Sequence, residues 1–134
     1  MAKLRHIALS VQDLDQAVKF FVEAFDMRIV GPRRDVVCNV SDGTMNVALL
    51  ALKGKPLGYD KETPFYGIEH FGMWVDDIAA ARRQAEAAGA TYVMGAEPST
   101  PDAFYEIKYR DPMGNIFDLT SHGWAGAMKE VVPA

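Results

Sequence analysis

Three residues of this chain combine a reactive side chain with an unusual setting: His6 in RHIALSV, His70 in GIEHFGMWV and Asp118 in NIFDLTS. Each interrupts an apolar run that reads as a buried strand. A single strand histidine reads first as a core residue whose ring nitrogens find hydrogen-bond partners. A carboxylate between Phe117 and Leu119 is harder to absorb, because burying a lone charge costs far more than burying a satisfied polar group. It must cap backbone amides, pair with a cation such as Arg5 or Arg110, or bind a metal. Two neutral imidazoles and one carboxylate, with other coordination positions open, suit divalent iron, zinc, nickel or manganese, and the 2-His-1-carboxylate set is typical of non-haem Fe2+. That chemistry requires three distant residues to meet.

An internal repeat supplies the means. RHIALSVQDLDQA, from Arg5, aligns with EHFGMWVDDIAAA, from Glu69, at a constant shift of 64 (70 minus 6). His6 falls on His70, Val11 on Val75, Asp13 on Asp77, Leu14 on Ile78 and Ala17 on Ala81. Each copy reads as a strand, an acidic N-cap at Asp13 or Asp77, and an amphipathic helix with apolar residues at three- and four-residue steps. Gly89 stands where a left-handed cap would end the second helix. Three short extended segments follow each helix: Met27 to Pro32, Asp35 to Val40 and Met45 to Leu52, then Thr91 to Gly95, Ala103 to Tyr109 and Asn115 to Ser121. The turn-formers GPRR, SDGT, EPSTPD and DPMG separate them. The expected fold is α+β, a single domain spanning 1–134 and built from two βαβββ modules. Module 1 covers about 3–52 and module 2 about 67–122, joined by a Gly- and Pro-rich linker over about 53–66. Equivalent first strands facing each other across a pseudo-twofold axis would let His6 and His70 converge, with Ala8 and Gly72 leaving room beside them. Aligning the last strands places Asp118 on Ala48, at a shift of 70 (118 minus 48).

The whole-chain properties narrow the class. At 134 residues, 49% hydrophobic and 24% charged, the chain is the size and composition of one globular domain. Cys38 is the one cysteine, so no intrachain disulfide forms, and it reads as a small buried hydrophobe in a reducing, cytoplasmic setting. A net charge of -4 with scattered Lys and Arg offers no basic face for nucleic acid or an anionic membrane, and no apolar run is long enough to span a bilayer. Phosphate-loop, dinucleotide and nucleophile-elbow motifs are absent.

The stretches LRHIALSVQDLDQAVKFFVEAFDM, IEHFGMWVDDIAAARRQAEAAGA and YRDPMGNIFDL together resemble the vicinal oxygen chelate superfamily of glyoxalases, bleomycin-resistance proteins, extradiol dioxygenases and methylmalonyl-CoA epimerases. The resemblance implies an eight-stranded cup-like sheet with helices outside. It also implies metal ligands on the first and fourth strands of each module, which fall here on His6, His70 and Asp118, with Ala48 in place of a fourth. The three that remain resemble the extradiol dioxygenase arrangement and favour that chemistry with Fe2+. A metal-dependent lyase or isomerase with water or a residue such as Glu69 completing the site, and a metal-free small-molecule binding or resistance protein, are the alternatives.

In outline, two adjacent oxygens of a small substrate would chelate the metal, which stabilises developing negative charge. Acid–base candidates are Lys108 and Glu106, Tyr105 or Tyr109, and His122, with Lys108 favoured by analogy with the dioxygenases and a solvated edge-strand lysine as the competing reading. Trp74, Phe104, Trp124 and the open position at Ala48 are the expected substrate contacts. Phe71, Met73 and Met45 are further candidates for the pocket wall. A homodimer is expected, because its symmetry would cover exposed sheet edges, and the long linker allows the modules to pair within one chain or between two.

Overall fold

The computed structural model describes residues 1–60 and 62–132; Lys61, inside the expected linker, and residues 133–134 lie outside them. The elements run β1 Lys3–Ser10, α1 Leu14–Phe25, β2 Arg28–Val30, β3 Val37–Ser41, β4 Asn46–Leu50, β5 Gly67–Trp74, α2 Ile78–Ala87, β6 Thr91–Met94, β7 Ile107–Arg110 and β8 Ile116–Thr120. They form one mixed sheet in the order β2-β3-β4-β1-β5-β8-β7-β6. Each module contributes four strands. The modules pair within one chain, because β1 lies antiparallel to β5 at the sheet centre.

The helices start where acidic caps allow. Asp13 accepts from the Gln16 amide at 2.9 Å and Asp77 from the Ala80 amide at 3.0 Å, each satisfying one of the four otherwise unpaired donors of a first turn. Helix α1 lays Leu14 and Val18 on Cys38, Val40, Val47 and Leu49, while α2 lays Ile78, Ala81 and Ala85 on Val75, Ile107, Tyr109 and Leu119. Both helices thus cover one face of the sheet. Strand alternation then sends Asn46, Ala48 and Leu50 of β4, and Asp118 of β8, to the opposite face.

That opposite face is roofed by irregular chain. The linker crosses the second module, where Gly58 O accepts from Arg110 Nη2 at 2.9 Å and the Tyr59 hydroxyl accepts from the Ile116 amide at 2.8 Å. The C-terminal segment, which carries no periodic pattern, returns across the first module. Ala125 O accepts from Asn46 Nδ2, Gly126 O from Ser41 Oγ and Met128 O from Arg5 Nε, at 2.8, 2.8 and 2.7 Å.

Among the strand boundaries that differ from the sequence expectation, two bear on the site. The segment expected to be extended from Ala103 becomes a strand only at Ile107, because β6 ends at Met94 and offers no partner earlier. The last strand stops at Thr120, leaving Ser121 and His122 in a bend.

Candidate metal centre

The strand register explains how two histidines 64 positions apart reach one spot. Across the β1·β5 pair, His6 stands opposite Gly72 and Ala8 opposite His70, so each ring faces a small residue of the other module. Outward from this pair, Ala8 aligns with Ala48 on β4, and Gly72 aligns with Asp118 on β8. Asp118 and Ala48 therefore occupy equivalent places about the pseudo-twofold axis, and only the second module carries an acid there.

The three side chains converge. His6 Nε2 lies 3.4 Å from His70 Nε2 and 3.7 Å from Asp118 Oδ2, and His70 Nε2 lies 3.2 Å from the same oxygen. All three residues are buried. Metal–ligand bonds of about 2.1 Å place ligand atoms roughly 3.0 to 3.4 Å apart, so this spacing fits a metal with little adjustment.

Proton placement makes the fit sharper. Asn46 Nδ2 donates to Ala125 O at 2.8 Å and to Asn39 Oδ1 at 3.3 Å, which orients the amide so that its Oδ1 accepts from His6 Nδ1 at 2.6 Å. The proton of neutral His6 is then on Nδ1, and Nε2 presents a lone pair. His70 Nδ1 likewise faces Glu69 Oε1 at 3.1 Å, and Glu69 is itself held by the Leu57 amide at 2.8 Å. Hydrogen-bonding the far ring nitrogen in this way fixes the tautomer and orientation of metal-binding histidines. Among the described residues Asp118 Oδ2 has no hydrogen-bond donor: His70 Nε2 is near enough to interact with its charge but is not aligned to donate. Two lone pairs and a carboxylate oxygen point at each other, an arrangement that a cation resolves.

Electrostatics set the two rings apart. Burial pulls His6 down to about 4, so it is neutral at physiological pH. For His70 burial also favours the neutral ring, but Asp118 and Glu69 outweigh it and hold the imidazole above its ordinary value. Asp118 would be pushed up by burial, yet its contact with His70 and the charge of Lys108 keep it below the usual carboxylate range. Lys108 Nζ donates to Asp118 Oδ1 at 2.6 Å and lies 3.8 Å from Glu106 Oε2. Lys108 is thus a buried partner of the Asp118 carboxylate rather than a solvated edge lysine, and it takes the place of Arg5 or Arg110 as the cation beside Asp118.

The other expected site residues divide. Trp124 stacks on His6, with ring centroids 4.8 Å apart and planes 6° from parallel, and donates from Nε1 to Glu106 Oε1 at 2.7 Å. Glu106 Oε1 is 4.0 Å from His6 Nε2. Trp74 donates to Ser121 O at 3.1 Å and presses its ring on Gly123. Ala48 is buried beside Ala8 and Leu50. His122 and Phe104 are exposed, His122 in the bend after β8 and Phe104 in the loop before β7, and the structure does not bring either to the triad. Tyr105 bonds Ser121, and Tyr109 faces α2, bonding Arg82 and Glu86.

Two functional neighbours were hidden or misplaced in the sequence. Asn46 was visible only as a polar residue opening an apolar run. Glu69, which one alternative has completing the site, instead contacts the far nitrogen of His70. It occupies a bulge, between the pairs Ala8 with His70 and Leu9 with Ile68, that turns adjacent residues to the same side. A cavity of about 280 Å³ opens beside His70, walled by Pro56, Tyr59, Phe65 and Phe71 and floored by Ile116.

Known proteins place this architecture. An uncharacterized protein of Pseudomonas aeruginosa, PA2024, is 28% identical over 140 residues, covering 97% of this chain and 96% of the relative. The Mn(II)-bound glyoxalase from Novosphingobium aromaticivorans superposes with a TM-score of 0.68 at 21% identity, covering 97% of this chain and 42% of that one. The 2,3-dioxygenase LapB from Pseudomonas sp. KL28 gives 0.65 at 14% identity, covering 93% and 42%. These low identities speak to the fold alone. The family model matches residues 3–119, nearly the whole sheet and both helices, and the chain belongs to the Glyoxalase/Bleomycin resistance protein/Dioxygenase superfamily.

Proposed function

We propose that the protein is a metal-dependent enzyme that binds a small organic substrate through two adjacent oxygens at a centre held by His6, His70 and Asp118. The observation that carries this reading is the convergence of two Nε2 lone pairs and the donorless Asp118 Oδ2. A metal-free binding protein would have no use for that arrangement. It leaves buried acceptors facing one another, at a cost of about 1–3 kcal/mol for each unsatisfied group.

The bound divalent ion would supply Lewis-acid stabilisation of negative charge developing on the substrate oxygens. The chain's own residues do the rest. Asn46 and Glu69 hold the two imidazoles in the ligating tautomer. Lys108 neutralises Asp118 without occupying the oxygen that faces the histidines. Trp124 covers one face of the His6 ring.

Two reaction classes share this geometry. Ala48, the apolar counterpart of Asp118, leaves positions open for both substrate oxygens and dioxygen, as ring-cleaving dioxygenation needs. Glu106, 4.0 Å from His6, favours the second class, isomerisation or lysis by proton transfer next to a carbonyl. It brings a second carboxylate beside the centre, and on that ground the isomerase or lyase reading stands first.

The test begins with metal content after anaerobic purification, compared between wild type and His70→Ala. Stoichiometric metal lost in the variant supports the reading, and no metal in either protein overturns it. Reloading with Fe2+ and offering catechols under an oxygen electrode tests the first class. Reloading with Mn2+, Zn2+ or Ni2+ and following solvent-deuterium incorporation into α-hydroxy ketones tests the second.

A further inference from the structure

The side chains around the triad carry an imbalance that three ligands leave unexplained. Two carboxylates, Asp118 and Glu106, share one lysine, and the sharing is unequal. Lys108 Nζ is 2.6 Å from Asp118 but 3.8 Å from Glu106. Glu106 accepts a hydrogen bond from the neutral Trp124 indole. A mostly buried acid with so little positive charge beside it is an expensive feature unless a cation is meant to approach.

The surrounding backbone is shaped to keep it there. Glu106 precedes β7, where Gly95 passes so close that a Cβ on Gly95 would stand 2.2 Å from Glu106 O. Trp124 reaches Glu106 only because Gly72 has no side chain: a Cβ there would meet the indole at 2.5 Å. The indole lies flat on His6 while its N–H points to Glu106 Oε1, so one residue sets both the ring of a ligand and the direction of the acid. The first module meanwhile offers only Ala48 at the place equivalent to Asp118.

We propose that Glu106 is the fourth protein ligand of the loaded metal, standing in for the side chain that Ala48 lacks, and that Trp124 positions it. This rests on the metal-centre reading above. From 4.0 Å beside His6 Nε2, a small torsional adjustment brings Oε1 to the spacing that His70 and Asp118 already have. The Trp124 N–H can stay bonded to the ligating carboxylate, as outer partners of metal carboxylates commonly do. Four protein ligands leave two positions on a six-coordinate ion, enough for two adjacent substrate oxygens and none for dioxygen.

The test uses the metal alone. Metal-free protein is titrated with Mn2+, following free Mn2+ by electron paramagnetic resonance, and with Co2+, following its visible absorption. Glu106→Ala should weaken Mn2+ binding by about 100-fold and change the Co2+ spectrum. Glu106→Gln, whose amide oxygen can still ligate, should recover part of the loss. Trp124→Phe, which keeps a ring on His6 but cannot donate, should weaken binding about 10-fold. Far-ultraviolet circular dichroism of each metal-free variant establishes that it is folded. Wild-type affinity and an unchanged Co2+ spectrum in folded Glu106→Ala would overturn the proposal while leaving the three-ligand centre intact. Failure of the wild type itself to bind Mn2+ or Co2+ would overturn the centre and the proposal together.

Discussion

Substituting Gly72 probes the link between the sheet centre and the C-terminal segment. In Gly72→Ala the added Cβ would stand 2.5 and 2.7 Å from two atoms of the Trp124 ring and 2.9 Å from His6 Cβ. Carbon atoms rest about 3.5–4.0 Å apart, so the indole must withdraw by roughly 1 Å. It cannot do so and keep both its stack on His6 and its 2.7 Å bond to Glu106. Overpacking costs about 1–3 kcal/mol and a hydrogen bond to a charged group about 1.5–3 kcal/mol; since relieving one sacrifices the other, the net loss is about 2–4 kcal/mol. At roughly 3 °C per kcal/mol for a chain of this size, the midpoint should fall by about 6–12 °C. The assay is thermal unfolding of the metal-free protein by circular dichroism, with indole emission recorded alongside. Gly43→Ala is the control, because its positive φ of 102° imposes backbone strain but nothing lies within 4 Å. A Gly72→Ala protein that melts within about 2 °C of wild type with unchanged emission would refute the placement of Trp124 on His6.

Other perturbations address the charges and the periphery. His6 is held at about 4 when folded against 6.5 when unfolded, so the unfolded chain binds the extra proton between those values and stability falls as pH drops through that window. Urea unfolding of the metal-free protein should register a loss on the order of 3 kcal/mol that His6→Gln removes, while His70, shifted upward, contributes stability at low pH that fades above its folded value. Lys108→Met strips Asp118 of its buried partner and should cost about 3–5 kcal/mol without metal; saturating Mn2+ should restore part of it, and an equal loss with and without metal would count against the ion's place beside Asp118. His122→Ala should leave Mn2+ affinity within about twofold of wild type, since His122 is exposed away from the triad, and a larger loss would mean that the bend folds inward.

The triad was legible because two observations reinforced each other, a repeat that doubled one histidine and an acid where the periodic pattern calls for an apolar residue. The equivalence of Ala48 and Asp118 follows from aligning the last strands of the two modules, and the β1·β4 and β5·β8 registers reproduce it. What escaped the sequence depends on tertiary closure. Glu69 turns toward His70 because of a bulge set by pairing with β1, which no local pattern announces. The burial of Lys108 depends on which face of β7 meets Asp118, and period-two alternation leaves that choice open. The stretch SHGWAGAMKE has neither helical nor strand period, so its course over the first module, and with it the contact of Trp124 with His6, comes from hydrogen bonds to Asn46 and Ser41. The approach of Glu106 to His6 likewise comes from loop geometry rather than strand register.

The β1·β5 pairing has a consequence for mixed populations of the protein. Since His6, His70 and Asp118 meet within one chain, each copy carries all three residues of the candidate centre. A chain lacking His6 cannot rescue one lacking His70 when the two are mixed. One ion per chain should survive dilution, and a defective copy should neither poison nor restore its neighbour.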